Sequence, residues 1–219
     1  LPYRHEDLSN FTPVVQDQSM NQEFWDEHYS TAEQVWSHNP NPVLVAEASD
    51  LTPGRALDVG CGEGADARWL AERGWQVTAT DISQIAINRA ASLNDSDAIT
   101  WVRGDPLADP PPAASFDLVS MQYFHTIPRD GGESIARAIA NAVVPGGTLL
   151  MVSHQIQEDP SHQWKGIDPR DFYEPHDVAE VLGDEWKILI DRAQPRTTAP
   201  PGHSHHTHDT VLKAVRLNS

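Results

Sequence analysis

Between residues 55 and 154 short apolar runs alternate with stretches whose apolar positions recur at helical spacing. RALDVG (55–60), FDLVSMQ (116–122) and GGTLLMVSH (146–154) are nearly continuous in apolar residues, as strands buried on both faces of a sheet must be. WQVTATD (75–81) and AITWVRGD (98–105) read as two further strands. ADARWLAER (65–73) sets Ala67, Leu70 and Ala71 on one side of a helix, and Gly74 is placed to end it. SQIAINRAASL (83–93) opens on Ser83, a good N-cap, and GGESIARAIANAVV (131–144) is another helix. Strand and helix in alternation, at crossover spacing, predict a doubly wound parallel α/β sheet.

The flanks depart from this rhythm. Residues 1–19 are polar and irregular, a loose arm. MNQEFWDEHYSTAEQVW (20–36) predicts a short helix anchored by Phe24, Trp25, Tyr29 and Trp36. The prolines of NPNP (39–42) break it from a second helix, VLVAEASDL (43–51). Beyond residue 154 the chain is polar and proline-containing to residue 175, then reads as a short helix, EPHDVAEVLG (174–183). WKILIDRA (186–193) and DTVLKAVRL (209–217) are strands with no helix between them, so they should pair antiparallel.

Length and charge narrow the classes. The 219 residues suit one domain, 1–219, with one sizeable core. A net charge of −17, from 15 Lys+Arg against 32 Asp+Glu, repels phosphate backbones and anionic lipid, so nucleic-acid and membrane partners are not expected. The single cysteine, Cys61, cannot form an internal disulfide and suits a reducing, cytoplasmic setting. No apolar run approaches the roughly 18 residues of a membrane span, and LPYRHEDLSN shows no basic-then-apolar leader pattern. In PPGHSHHTHD (200–209), His203, His205, His206 and His208 form a cluster of the kind that suits zinc, copper or nickel, but no cysteine completes a site. A solvated loop is the competing reading, and no metal is assigned.

The chemistry centres on ALDVGCGEGADARWLAERGWQVTATD (56–81). Gly60, Gly62 and Gly64 make a turn between strand and helix. The dinucleotide fingerprint needs G-x-G-x-x-G, and its last position here is Ala65, so spacing alone leaves that ligand open. No G-x-x-x-x-G-K-[ST] occurs. Glu63 lies inside the turn with no Lys or Arg, and Asp58 lies just upstream, a poor setting for pyrophosphate. Asp81 ends the next strand, where a carboxylate can take both hydroxyls of a ribose. An adenosine ribose, no phosphate and a cationic end fit these residues together, and S-adenosylmethionine has all three.

DVGCGEG followed by TATDIS resembles the first two motifs of class I S-adenosylmethionine-dependent methyltransferases. GDPL (104–107), FDLVSMQYFH (116–125) and PGGTLLMV (145–152) extend the resemblance in order, over about residues 20–217. It implies a Rossmann-like seven-stranded sheet of order 3-2-1-4-5-7-6 with the last strand antiparallel. It also implies roles. Gly60, Cys61 and Gly62 lay backbone against the methionine part, and Asp58 orders the turn and reaches toward the amino group. Asp81 takes the ribose hydroxyls and Ile82 packs on the adenine. Asp105, followed by Pro106, accepts from the adenine amino group, with turn capping as its other reading. Gln122 lies beside the transferring methyl. EFWDEHY and VWSHNPN resemble the lead-in of the small-molecule branch related to tellurite-resistance and thiopurine methyltransferases. There this segment, here 20–42, folds over the cofactor as a lid, which makes Trp25, Tyr29 and Trp36 lid contacts or, on the plainer reading, core anchors.

The expected activity is methyl transfer from S-adenosylmethionine to a small-molecule acceptor. A non-catalytic binder of the same ligand and a nicotinamide-dependent oxidoreductase are the alternatives. His125 and His154 follow the fourth and fifth strands, at the end of a parallel sheet where ligands bind, and are the candidate general bases. In-line positioning of the acceptor can supply most of the acceleration without one. The insert 155–175, with His162, Trp164, Arg170 and Tyr173, is the expected substrate side. Oligomeric state is not legible.

Overall fold

The computed structural model describes residues 20–93, 96–124, 126–156, 167–196 and 207–218. Its sheet has seven strands in the order β3-β2-β1-β4-β5-β7-β6. The strands are β1 Arg55–Val59, β2 Gln76–Asp81, β3 Ile99–Arg103, β4 Phe116–Gln122, β5 Val143–His154, β6 Trp186–Pro195 and β7 His208–Arg216. The first five are parallel neighbours. β7 runs antiparallel to both β5 and β6, the inserted hairpin the sequence predicts.

Alternation along the central strands sends side chains to two cores. Ala56, Val77, Ala79, Leu118, Leu150 and Val152 pack beneath α2 (Pro42–Ala48), α3 (Ala65–Glu72) and α4 (Gln84–Ser92). Leu57, Val59, Val119, Met121, Leu149 and Met151 pack beneath α5 (Gly132–Asn141) and α6 (Pro175–Val181). Helices therefore cover both faces, and the open end of the sheet is the one where β1, β2, β4 and β5 finish.

The helix expected over 20–36 is shorter. α1 spans Gln22–Ser30, starting where the Asn21 side chain accepts from the Phe24 N–H. Thr31 ends it by turning its hydroxyl onto the His28 carbonyl. The amides of Val35 and Trp36, which a continued helix would tie up, donate instead to the Glu63 carboxylate, at 3.1 and 2.9 Å. Residues 1–19, His125, the part of the insert that includes His162 and Trp164, and His203, His205 and His206 lie outside the described residues.

Candidate functional site

The strand-to-helix turn after β1 is shaped by backbone signs. Gly60 has φ +70° and Gly62 φ +53°, a region side chains rarely enter. Close approach adds a second reason at Gly62, where a Cβ would come within 2.9 Å of the Tyr29 Oη. The lid segment therefore rests directly on the turn. Trp36 Nε1 donates to that same Tyr29 hydroxyl at 3.0 Å. Tyr29 is 3% exposed and Trp36 48%, so the first is a wall and the second a partly open flap. Trp25 stays within α1, edge-on to Phe24 and His28.

Three carboxylates tie residues 21–41 to the turn and to α3 and α4. Glu63 accepts from Val35 and Trp36 and from Arg89 Nη1 at 3.0 Å, while Arg89 Nη2 donates to the Ala32 carbonyl. Asp66 accepts from the Asn41 amide at 2.7 Å and from its side chain at 2.6 Å. Asp26 of α1 accepts from Ser83 at the start of α4. Glu63 thus has a job that its position in the sequence did not reveal. It is 4% exposed, bound to the Val35 and Trp36 amides and paired with Arg89, so it fastens residues 31–36 to the turn.

Asp81 closes β2. Its oxygens accept from the Gly62 and Ser83 amides, each at 2.9 Å. A carboxylate oxygen has two lone pairs, so each can still take one hydroxyl. Burial outweighs those amides and pushes the carboxyl up to about 6. Asp58 is buried at the end of β1, where it accepts from the Ala67 amide, and its Oδ2 has no partner among the described residues. Burial, then the carboxylates of Asp66 and Asp81, push it well above the usual carboxylate range. Gln122 donates to Ser120 at 3.0 Å, and its Oε1 is a second buried acceptor with no partner among the described residues. The register that pairs Asp58 with Ser120 brings these two orphaned acceptors to neighbouring strand ends.

Burial, with the Asp81 and Asp58 carboxylates, pushes the Cys61 thiol up, so it is no thiolate nucleophile and serves as a small turn residue. Asp105 accepts from the Leu107 amide at 2.9 Å, the turn-capping reading, with Pro106 half-buried beside it. Ile82 is half-buried just past β2. Arg170 of the Pro169–Asp171 turn is paired with Asp168. Tyr173 lines a cleft of about 470 Å³ beside α5, whose arginines, Arg129 and Arg137, are already paired with Asp177 and Glu133. His154 ends β5 with its ring 4.4 Å from that of Tyr123 and its Nδ1 3.4 Å from Asp209 Oδ1. No group of three or more His, Cys, Asp or Glu among the described residues is arranged to hold a metal.

A family model for a methyltransferase domain matches residues 56–147. The chain is 30% identical over 165 residues to the 2-heptyl-1-hydroxyquinolin-4(1H)-one methyltransferase of Mycobacteroides abscessus, covering 70% of this chain and 68% of that protein. It is 34% identical over 122 residues to the ubiquinone biosynthesis O-methyltransferase of Idiomarina loihiensis, covering 52% of this chain and 49% of the relative. The chain thus spans about half the length of that relative. The crystal structure of the N-methyltransferase NodS from Bradyrhizobium japonicum WM9, in complex with S-adenosyl-L-homocysteine, shares the fold. Its TM-score is 0.69 at 17% identity, over 90% of this chain and 100% of that one.

Proposed function

We propose, for a chain that belongs to the class I S-adenosylmethionine-dependent methyltransferases, transfer of a methyl group from S-adenosylmethionine to a small-molecule acceptor. The cofactor would supply a methyl on a positively charged sulfur. The observation that carries the reading is the buried, partnerless Asp58 Oδ2 among Asp66 and Asp81. An acid cluster of this kind lacks a cation, and an ammonium and a sulfonium would supply one.

This chain's residues then divide the work. Asp58 and the Gly60–Gly62 backbone hold the methionine end, and Asp81 takes the ribose hydroxyls. Ile82 packs on the adenine, and Asp105 keeps one carboxyl oxygen for its amino group. Gln122 offers its free Oε1 beside the reacting methyl. Tyr29 and Trp36 cover the turn and exclude water, and an aromatic face near a cation contributes about 0.5–2 kcal/mol. Trp25 supports that cover from within α1.

A small acceptor is favoured over nucleic acid because a surface of net charge −17 repels phosphate. No helix among the described residues is long and apolar enough to cross a membrane. One buried thiol, needing no oxidising compartment, suits a cytoplasmic enzyme. The test has two parts: calorimetric titration with S-adenosylhomocysteine and NAD, and a screen for S-adenosylhomocysteine release over small hydroxyl, thiol and amine compounds with a structured RNA alongside. Binding of S-adenosylhomocysteine and turnover of a small compound support the reading. Binding without turnover of anything would make the protein a non-catalytic binder, and NAD binding alone would overturn the cofactor.

A further inference from the structure

At the open end of the sheet, beyond Gln122, three side chains meet around a carboxylate that the residues proposed to hold the cofactor do not use. Asp209, at the start of β7, is 3% exposed. Its Oδ2 accepts from the Tyr123 hydroxyl at 3.1 Å, and its Oδ1 lies 3.4 Å from both His154 Nδ1 and Arg196 Nε. Strand register puts His154 directly across from Asp209 and two residues beyond Val152, the partner of Gln122. The cluster is therefore anchored on β5, the neighbour of the strand that ends at Gln122, and on β7 one strand further out.

The arrangement has the marks of a built site. Tyr123 is held at φ +57°, one of two non-glycine residues with positive φ among those described. Strain of this kind persists only where surrounding structure enforces it. Burial, with the Asp209 carboxylate, pushes the Tyr123 phenol up, so it stays protonated and donates. The Tyr123 ring lies 4.4 Å from that of His154, tilted by 34°, and limits how far the imidazole can turn. Arg196 shares Oδ1, which offsets the charge of a carboxylate left almost no water. The 3.4 Å separation to Nδ1 closes to a hydrogen bond with a small ring movement, as such contacts often do when substrate binds.

We propose that Asp209 is a positioning residue that holds His154 as proton acceptor for a hydroxyl-bearing substrate. This rests on the methyl-transfer reading above. With Nδ1–H turned to Asp209, the accepting atom is Nε2, on the far side of the ring. As the hydroxyl oxygen forms its bond to the methyl carbon, the carbon–sulfur bond breaks and its electron pair stays on sulfur. The O–H proton passes to Nε2, and the imidazolium so formed is balanced by Asp209. A cavity of about 100 Å³, lined in part by Pro42, Tyr123, Arg196 and Asp209, is too small for a substrate. It has room for about three waters at roughly 30 Å³ each.

Two measurements test this. Long-range ¹⁵N–¹H correlation of the His154 ring in the wild-type protein needs no acceptor. The expected result is a protonated Nδ1 and a basic Nε2, shifting toward protonated Nε2 in Asp209→Asn. A wild-type ring protonated on Nε2 overturns the proposal. The second is turnover of a hydroxyl compound found active in the screen. In His154→Gln, kcat should fall roughly 10²-fold or more, with KM and S-adenosylhomocysteine affinity within threefold. Unchanged kcat, or activity confined to thiols already ionised at assay pH, overturns it. His154→Gln leaves the buried carboxylate in place, so the test survives if Asp209→Asn fails to fold. A wild-type protein that does not bind S-adenosylhomocysteine would instead sink the methyl-transfer reading itself.

Discussion

Asp81 holds the Gly62 and Ser83 amides in the free protein, and the proposed ribose contact would draw on its remaining lone pairs. Hydroxyls bind the ionised carboxylate best, and its pKa is pushed up to about 6. Affinity for S-adenosylhomocysteine should therefore rise as pH goes from 5 to 7 and level off above. Calorimetry across that range checks this, and Asp81→Asn should bind at least about tenfold more weakly, with the rise flattened, since hydrogen bonds to a charged group contribute about 1.5–3 kcal/mol. Asp58 shows the opposite side of the same chemistry. Its pKa is raised, so ionisation at neutral pH destabilises the folded chain, a cost present above the ordinary carboxylate range and relieved as pH falls. Asp58→Asn keeps an oxygen for the Ala67 amide and removes the charge. Tm should rise by a few degrees, at about 2–4 °C per kcal/mol for a chain this size, while cofactor affinity drops about tenfold or more. A fall in Tm with affinity intact would show that the acid cluster is structural.

At the scale of elements, the proposed lid, residues 20–42, is tied to the turn through Glu63. Glu63→Ala removes the acceptor for the Val35 and Trp36 amides and the partner of Arg89. Hydrogen exchange at residues 31–36 should quicken by tenfold or more, that at the β4 core should stay unchanged, and S-adenosylhomocysteine should restore only part of the protection. Equal exchange in variant and wild type would mean that the aromatic contacts alone close the segment. The strands were largely legible beforehand, because a strand buried on both faces leaves a continuous apolar run; FDLVSMQ became β4, Phe116–Gln122, at the same bounds. Ser83 was read as an N-cap from its type alone, and it accepts from the Ala86 amide. The course of residues 31–36 was not legible, since Val35 and Trp36 are bound by a carboxylate some thirty residues away, and no local pattern records that. The same reason hid Arg89 and Asp66. Asp209 escaped notice because its partners, Tyr123 and His154, come from two other strands and meet only when β7 is inserted beside β5.

For the whole molecule, a charge of −17 acts on stability as well as on partner choice. Like charges repel one another within a Debye length, about 30 Å at 0.01 M salt and 8 Å at 0.15 M. Adding salt over that range should raise Tm, by a few degrees, and saturating S-adenosylhomocysteine should raise it further. At a hundred times Kd the ligand contributes about 2.7 kcal/mol, or about 5–10 °C at this chain length. Scanning calorimetry at two salt concentrations, with and without ligand, separates the two increments. A Tm that falls with salt would show that specific ion pairs such as Arg89–Glu63 outweigh the general repulsion.

β7 follows β6 in the chain yet lies inside it in the sheet. On a ribosome, β6 emerges before the strand it pairs with among the described residues has been made. β5 likewise leaves one edge bare, with no hydrogen-bonding neighbour, until residues 208–216 arrive. The nascent chain can thus complete its glycine turn, the 20–42 segment and the Asp81 carboxylate while the outer third of the sheet is still a loose ribbon. Newly synthesised chains are most exposed to edge-to-edge aggregation and to chaperone capture in that interval, and β7 closes it by sliding between two strands already made.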